Sequence, residues 1–437
     1  MEKLLNSPSL GGKIKAISSK SMAHRLLICA AFADNESDIV CEDVNADIRA
    51  TVACLNALGA SITRVGDSYH VTPISRVSVG ASLDCGESGS TLRFLLPVAS
   101  AIGADANFYM HGRLPQRPLS PLFEELEQNG MYLSPQGTNP LVTSGTLRHG
   151  DYRIAANVSS QFISGLMFAL PLIHRFDGTP TKDENGSPYE STLTLTGIVE
   201  SAPYIDITLD ALRTFGAELE EAYADSASGE TGKYVIPVGI KLHAPYDLRV
   251  EGDWSNAAFW LAAGAIGKQR LTVTSLNLSS SQGDMKIIDL LRKFGADAIK
   301  SGDEVTVIPR PLHGIRIDAS QIPDLVPILS VVAAVSEGET VMYGASRLRI
   351  KESDRLLTVT NMLTALGADV KETADGLIIN GKPYLEGGEV DAANDHRIAM
   401  SAAIASTICR GEVKIFGAEA VSKSYPKFWE DFERLSK

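Results

Sequence analysis

Apolar residues in this chain fall into six long runs, and small polar residues stand directly before each run. Residues 259–266 and 328–335 are examples: they are apolar on almost every side of a helix, and such helices are buried. Ser, Asp and Asn cap the free N–H groups at a helix start, which also attracts anions. The pattern predicts six buried helices whose starts, if brought together, would form an anion site; they begin at 19–21, 88–90, 159–161, 253–255, 323–324 and 395–397.

A second kind of helix alternates with the first and is amphipathic. Its apolar residues recur at helical spacing, as Ile287, Leu290, Leu291 and Phe294 do. A Gly-Ala pair ends most copies, because glycine readily adopts the left-handed conformation that stops a helix. A short alternating stretch such as residues 304–308 follows and predicts a strand.

The two helix types recur as a unit of about 70 residues, and the chain holds six such units. One longer step contains two polar stretches, 176–190 and 224–233, which we expect to be loops. Three units precede about residue 245 and three follow it, which favours two domains of three units. Because the apolar helices need a cover, we expect an α/β fold with buried helices and the sheets outside.

Composition narrows the functional classes. The 437 residues are 44% hydrophobic and 21% charged, an ordinary globular composition, and the net charge of -13 argues against a nucleic-acid or anionic-membrane partner. The five cysteines include no CxxC pair, so neither a zinc ribbon nor a thioredoxin-type motif is visible. Residues 1–5 lack the apolar stretch of a signal peptide and no run is long enough to span a membrane, so we expect a cytoplasmic protein.

Basic residues cluster at the predicted helix starts and in the loops near them. Arg25, Arg93 and Arg397 lie within apolar runs, where an arginine needs an anionic partner. Asp324 and Glu352 accompany the basic set, and a carboxylate in a basic cleft can serve as general acid or base. Helix capping is the alternative reading for the carboxylates. P-loop, GxGxxG and HExxH motifs are absent from the sequence, and no ligand cluster predicts a metal.

Nine segments resemble, in order, the signatures of the 5-enolpyruvylshikimate-3-phosphate (EPSP) synthase family. Lys-Glu-Ser-Asp-Arg at 351–355 and Asn-Asp-His-Arg at 394–397 are highly specific in combination. The segments span nearly the whole chain and lie at 19–25, 86–93, 116–118, 159–162, 203–206, 250–253, 322–324, 349–355 and 394–400.

The resemblance implies a fold and a reaction. The fold is a two-domain inside-out α/β barrel of six βαβαββ units, with residues 1–16 plus 246–437 in one domain, 17–245 in the other, and the active site in the cleft between them. The reaction moves the enolpyruvyl group of phosphoenolpyruvate (PEP) to the 5-hydroxyl of shikimate 3-phosphate, without metal or organic cofactor. We expect a monomer whose partners are these two small molecules.

The resemblance also implies roles for individual residues. Asp324 takes the proton from the 5-hydroxyl, and Glu352 with Lys20 handles the proton on the enol carbon. Shikimate 3-phosphate is held by Lys20, Ser21, Arg25, Ser159, Ser160, Gln161, Ser201, Asp324 and Lys351. PEP is held by Lys20, Gly89, Arg117, Gln161, Arg355, Arg397 and Lys423.

Three departures and two alternatives accompany this interpretation. Ile17 stands where the family usually has Pro, and Glu87 and Arg347 stand where some members carry Asn, so the contact at Arg347 is not carried over. The nearest alternative is a UDP-N-acetylglucosamine enolpyruvyl transferase, but residues 111–118 lack the cysteine usual in its catalytic loop. The other is a non-catalytic repeat protein that binds phosphorylated ligands, against which Lys20, Asp324, Glu352 and Arg397 argue together.

Overall fold

The chain divides into two compact units in a computed structural model that describes residues 1–436. One unit is the continuous segment Lys20–Val250, and the other combines Met1–Ser19 with the residues from Glu251 onward. Each unit has its own hydrophobic core. Within residues 1–436, no helix combines the length and the apolar character needed to cross a bilayer.

Two kinds of helix alternate along the chain, as the apolar pattern predicts. The odd-numbered helices bury nearly all their residues: α9, for example, is buried at every position. The even-numbered ones bury one face, and Ile287, Leu290, Leu291 and Phe294 form that face in α8. The helices within residues 1–436 are α1 (Lys20–Ala31), α2 (Ala46–Leu58), α3 (Gly89–Ala101), α4 (Leu122–Gln128), α5 (Ser160–Ala169), α6 (Pro203–Thr214), α7 (Trp254–Ile266), α8 (Ile287–Phe294), α9 (Val326–Ala333), α10 (Arg355–Ala365), α11 (His396–Ala405) and α12 (Phe428–Leu435).

Over residues 1–436 the strands are short and form small sheets, three in each unit. Their bounds are β1 (Glu2–Asn6), β2 (Gly12–Lys15), β3 (Ser37–Val40), β4 (Ser61–Val65), β5 (Ser68–Thr72), β6 (Ser82–Asp84), β7 (Asn107–Tyr109), β8 (Met131–Leu133), β9 (Leu141–Gly145), β10 (Asp151–Ala155), β11 (Glu190–Thr196), β12 (Glu220–Glu221), β13 (Glu230–Pro237), β14 (Leu248–Arg249), β15 (Leu271–Thr274), β16 (Asp297–Ser301), β17 (Glu304–Ile308), β18 (Arg316–Asp318), β19 (Glu339–Tyr343), β20 (Asp369–Glu372), β21 (Leu377–Asn380), β22 (Gly388–Asp391) and β23 (Glu412–Phe416).

One topology recurs in the sheets. In the order β6-β7-β9-β8, the first pair is parallel and the next two pairs are antiparallel, and α3 and α4 are the two helices of that unit. The orders β10-β11-β13-β12 and β18-β19-β21-β20 repeat the arrangement. The βαβαββ unit and the inside-out α/β fold with buried helices are thus confirmed.

The chain passes from one unit to the other twice, and the last strand before each passage pairs within its own unit. β2 pairs in parallel with β15 in one unit, and β14 pairs in parallel with β3 in the other unit. β1 completes the last sheet by pairing with β23. The units divide at 19/20 and 250/251, a few residues beyond the predicted boundaries at 16/17 and 245/246. The reason is local pairing: Ser18 bridges Gly252 in one unit, and β14 pairs with β3 in the other.

The expected loop at 224–233 differs from the structure at its end. Residues 226–228 form a turn, but β13 begins at Glu230 and pairs antiparallel with β11 along its whole length. The first residues of β13 are polar and mostly half-buried, and a short polar strand of this kind is not distinguished from a loop by period or hydropathy.

Candidate active site

Asp324 lies on the 3-10 turn Pro323–Leu325 that leads into α9, and two arginines bind it. Arg355 Nη1 donates to Asp324 Oδ1 at 2.8 Å. Arg397 Nη1 donates to the Asp324 carbonyl oxygen at 3.0 Å, and its Nη2 lies 3.2 Å from Oδ2. The expectation that Arg397 needs an anionic partner therefore holds, and Asp324 is that partner.

Arg355 joins three carboxylates. It is the first residue of α10, follows the N-cap Asp354, and is 1% exposed. Besides Asp324, it donates from Nη2 to Glu352 Oε2 at 2.7 Å and from Nε to Asp395 Oδ2 at 2.8 Å. The Lys-Glu-Ser-Asp-Arg motif thus brings the proposed PEP ligand Arg355 into contact with both proposed proton-transfer groups.

Asp395 has two tasks in this network. Its side chain caps α11 by accepting from the Arg397 N–H at 3.0 Å, as the capping interpretation predicts. It also accepts from Arg355, and from Ser353 Oγ at 2.9 Å. The second task was missed, because capping accounts for an Asp before an apolar run and the sequence shows no pairing over 40 residues.

Charge pairing controls the protonation of these groups. Burial alone would raise the pKa of Asp324, but the charges of Arg397, Lys351 and Arg355 hold it well below the usual range. Arg355 and His396 similarly outweigh burial and lower the pKa of Asp395. Both carboxylates are therefore ionised at neutral pH.

Lys351 and Lys423 are the remaining predicted cations of this unit. Burial lowers the pKa of Lys351 to about 8, with Arg347 and Arg355 adding to the effect and Asp324 opposing it. Lys423 Nζ donates to the carbonyl oxygen of Asn394 at 2.8 Å, where the backbone turns through a positive φ of 55° just before α11.

In the other unit, Lys20 and Arg25 lie on α1, which begins at Lys20. Lys20 Nζ is 2.9 Å from Asp47 Oδ2, a partner that sequence reasoning missed because nothing in the spacing links the two. Arg25 is 2% exposed and corrects an expectation. Instead of an anionic partner it has neutral acceptors: the carbonyl oxygens of Ser21 and Tyr204 at 2.7 and 2.8 Å, and the hydroxyls of Thr208 and Ser164 at 2.8 and 3.4 Å.

Neutral acceptors suffice for Arg25 because three helices supply them around one guanidinium, and the ring of Phe94 lies 5.0 Å from it. Burial lowers the pKa of Arg25 to about 10, so the group is still charged at neutral pH. No carboxylate among these hydrogen-bond partners cancels that charge.

Gly89 begins α3 and is crowded by arginines. A Cβ there would lie 2.6 Å from Arg93 Nη1 and 2.8 Å from Arg117 Nη1, so only glycine lets both guanidinium groups approach the helix start this closely. Gln161 connects this group to α5, since its amide accepts from Arg93 at 3.2 Å and donates to Ser90 at 2.9 Å. Arg93, which the predicted ligand sets leave out, thus lies beside Gly89 and bonds to Gln161, while Arg117 lies beside Gly89.

The four predicted serines sit at helix starts, and Ser21 is the second residue of α1. Ser159 caps α5 by accepting from the Gln161 N–H at 3.3 Å, and Ser160 is the first residue of that helix. Ser201 lies just before α6 with a φ of 56°, a left-handed conformation unusual for a residue with a side chain. Both Ser160 and Ser201 are buried.

Each unit therefore presents helix starts with adjoining cations, an arrangement that suits phosphates and carboxylates. In one unit these cations lie around two carboxylates: Asp324 pairs with Arg355 and Arg397, and Glu352 pairs with Arg355. Such a pair can divide the acid and base steps of one reaction.

Comparison with known proteins identifies the family. The family model "EPSP synthase (3-phosphoshikimate 1-carboxyvinyltransferase)" matches residues 6–432, and the chain belongs to this family. It is 43% identical over 441 residues to a 3-phosphoshikimate 1-carboxyvinyltransferase of Clostridium perfringens (strain SM101 / Type A), covering 100% of this chain and 99% of the relative.

Solved structures agree in fold. An EPSP synthase from Acinetobacter baumannii superimposes with a TM-score of 0.79 at 25% identity, covering 99% of this chain and 98% of that one. The enolpyruvyl transferase NikO from Streptomyces tendae gives a TM-score of 0.75 at 18% identity, with 99% and 97% covered, and shares the fold.

Proposed function

We propose that this protein transfers the enolpyruvyl group of PEP to the 5-hydroxyl of shikimate 3-phosphate and releases phosphate. Arg355 carries the proposal, because it ties Asp324 and Glu352 into one charged network beside Arg397. The reaction is an addition followed by an elimination: the 5-oxygen bonds to C2 of PEP while C3 gains a proton, and the tetrahedral adduct then loses that proton and phosphate.

Asp324 is the proposed base for the 5-hydroxyl proton. In the unliganded protein its low pKa makes it a weak base, because Arg397, Lys351 and Arg355 stabilise the carboxylate. If the anionic groups of PEP engage Arg355 and Arg397, part of that stabilisation is lost and the pKa of Asp324 rises. Base strength would then increase only when the second substrate is in place.

Glu352 is the proposed acid and base at C3, together with Lys20. Its Oε2 is bound by Arg355, and the side chain is 26% exposed, more than the fully buried Asp395. A carboxylate that is partly exposed suits reversible proton transfer better than the buried Asp395, whose oxygens serve Arg355, Ser353 and the α11 start.

The proposed ligand sets draw on both units. Lys20, Ser21, Arg25, Ser159, Ser160, Gln161, Ser201, Asp324 and Lys351 hold shikimate 3-phosphate, and Lys20, Gly89, Arg117, Gln161, Arg355, Arg397 and Lys423 hold PEP. The uncancelled charge of Arg25 and the arginines at the α3 start support the assignment of anionic ligands. We further propose a cytoplasmic monomer that binds neither nucleic acid nor membranes.

Phosphate release tests this function. The protein should release phosphate from PEP only when shikimate 3-phosphate is present, and EDTA should not change the rate. UDP-N-acetylglucosamine, supplied as the acceptor instead, should give none. Release with the sugar nucleotide, or with neither acceptor, would assign a different reaction.

A further inference from the structure

Asp284 is a buried carboxyl group that the proposed mechanism does not use. It lies on the turn Gly283–Lys286, directly before α8, and is 4% exposed. Ser255, in the first turn of α7, donates a hydrogen bond from Oγ to Asp284 Oδ2. A buried carboxyl group without a cationic hydrogen-bond partner is costly when ionised, so its protonation state depends on its neighbours.

Those neighbours belong to the candidate active site. The turn that carries Asp284 and the turn that carries Asp324 both pack against α7. The charged groups that act on Asp284 are Asp324, Arg397 and the α7 cap Asp253, whereas Lys286 on its own turn pairs at 3.6 Å with Asp289. Asp284 is therefore a second acidic group near Arg397, which already binds Asp324.

We propose, on the basis of the enolpyruvyl transfer proposed above, that Asp284 is a positioning residue for PEP. In its protonated form it leaves the positive charge of Arg397 available to Asp324 and the anionic substrate. When it ionises, its negative charge offsets part of that charge, and PEP binds more weakly.

The protonation state supports this assignment. Burial and the charge of Asp324 raise the pKa of Asp284 to about 7, although Arg397 and the Ser255 hydrogen bond act in the opposite direction. The group therefore changes charge across the neutral range. Binding of an anion at Arg397 would favour the protonated form further.

The test compares pH profiles of kcat/KM for PEP, with shikimate 3-phosphate saturating, in the wild type and Asp284→Asn. The ratio of variant to wild type should rise by about tenfold between about pH 6 and pH 8.5, because only the wild type acquires the charge. Asp289→Asn removes a half-exposed carboxylate on α8, so its ratio should stay flat. A flat ratio for Asp284→Asn as well would overturn the proposal.

Ser255→Ala gives an independent reading, which decides the matter if Asp284→Asn does not fold. Loss of a hydrogen bond to the carboxylate raises the pKa of Asp284, so the alkaline fall of kcat/KM should move to higher pH. An unmoved profile contradicts the proposal. If the wild type itself releases no phosphate with shikimate 3-phosphate, it is the proposed function that fails.

Discussion

Asp324→Asn is the substitution that separates the two roles of this residue. Asparagine retains the shape and one oxygen acceptor for Arg355 or Arg397, but it cannot accept the 5-hydroxyl proton. Loss of a positioned base costs about 10²–10⁴ in rate. We therefore expect kcat for phosphate release to fall by roughly that factor.

Binding should respond differently from turnover. Asp324 receives charge-assisted contacts from Arg355 and Arg397 at 2.8 and 3.2 Å, so a neutral side chain leaves both guanidinium groups with more charge for PEP. Shikimate 3-phosphate loses the charge-assisted part of one hydrogen bond, about 1.5 kcal/mol or tenfold in affinity. Arg355 keeps its bonds to Asp395 and Glu352, which argues for a folded variant.

Two measurements are compared: kcat from a phosphate-release assay, and the affinity for shikimate 3-phosphate from calorimetric titration. Asp369→Asn is the matched control, because it removes an exposed carboxylate from the same unit and should leave both measurements unchanged. Glu352→Gln should also lose turnover while retaining its Arg355 contact. A kcat for Asp324→Asn within about threefold of the wild type, with normal binding, would refute the assignment of the base.

Two further predictions follow from buried contacts. Gly89→Ala should displace Arg93 or Arg117, whose Nη1 atoms lie 2.6 and 2.8 Å from the added methyl position. It should weaken the binding of glyphosate, a phosphonate-carboxylate expected at the PEP site, more than the binding of shikimate 3-phosphate. Equal loss of both in inhibition and binding assays would contradict this prediction. Asp395→Asn should lower the free energy of unfolding in urea by about 3–5 kcal/mol at pH 7, because Arg355 loses a fully buried partner. Folding lowers the pKa of Asp395, so this stabilisation is present above the pKa of the unfolded chain, near pH 4, and is lost as the pH falls further. The difference in unfolding free energy between wild type and Asp395→Asn should therefore shrink in acid. A difference that does not depend on pH would assign the effect to capping alone.

Sequence patterns predict most of the fold because burial is periodic. The apolar runs mark the odd-numbered helices, and the Gly-Ala ends mark the left-handed stops, as at Gly59 and Gly295. The pairing of β2 with β15 and of β14 with β3 was not predictable, because β2 and β14 are short and their partners are distant in the sequence. Long-range pairing has no local signature.

The site shows the same limit. Positive residues near helix starts were visible, but the partners that fix them come from elsewhere in the chain: Asp47 for Lys20, and Asp395 for Arg355. Arg25 shows the opposite case, in which a buried cation is satisfied by hydroxyl and carbonyl oxygens of other helices. Composition indicates that a buried arginine needs acceptors, but it does not say which.

The pairing of the N-terminal strands β1 and β2 with strands after residue 250 sets the order in which the two units can be completed during synthesis. The Lys20–Val250 unit contains all its strands in one continuous segment, so nothing beyond Val250 is needed to finish its sheets. The other unit waits for the end of translation, because β1 has no partner until β23 emerges and β2 none until β15 emerges. Until then both N-terminal strands are open edges, the type of surface that pairs with other chains.

A circular permutant that begins at Glu251 and joins the old termini through a linker would make both units contiguous. Residues 251 onward followed by 1–19 would form the first unit, and residues 20–250 would form the second. The wild-type order instead makes the chain's first strand the last to be paired.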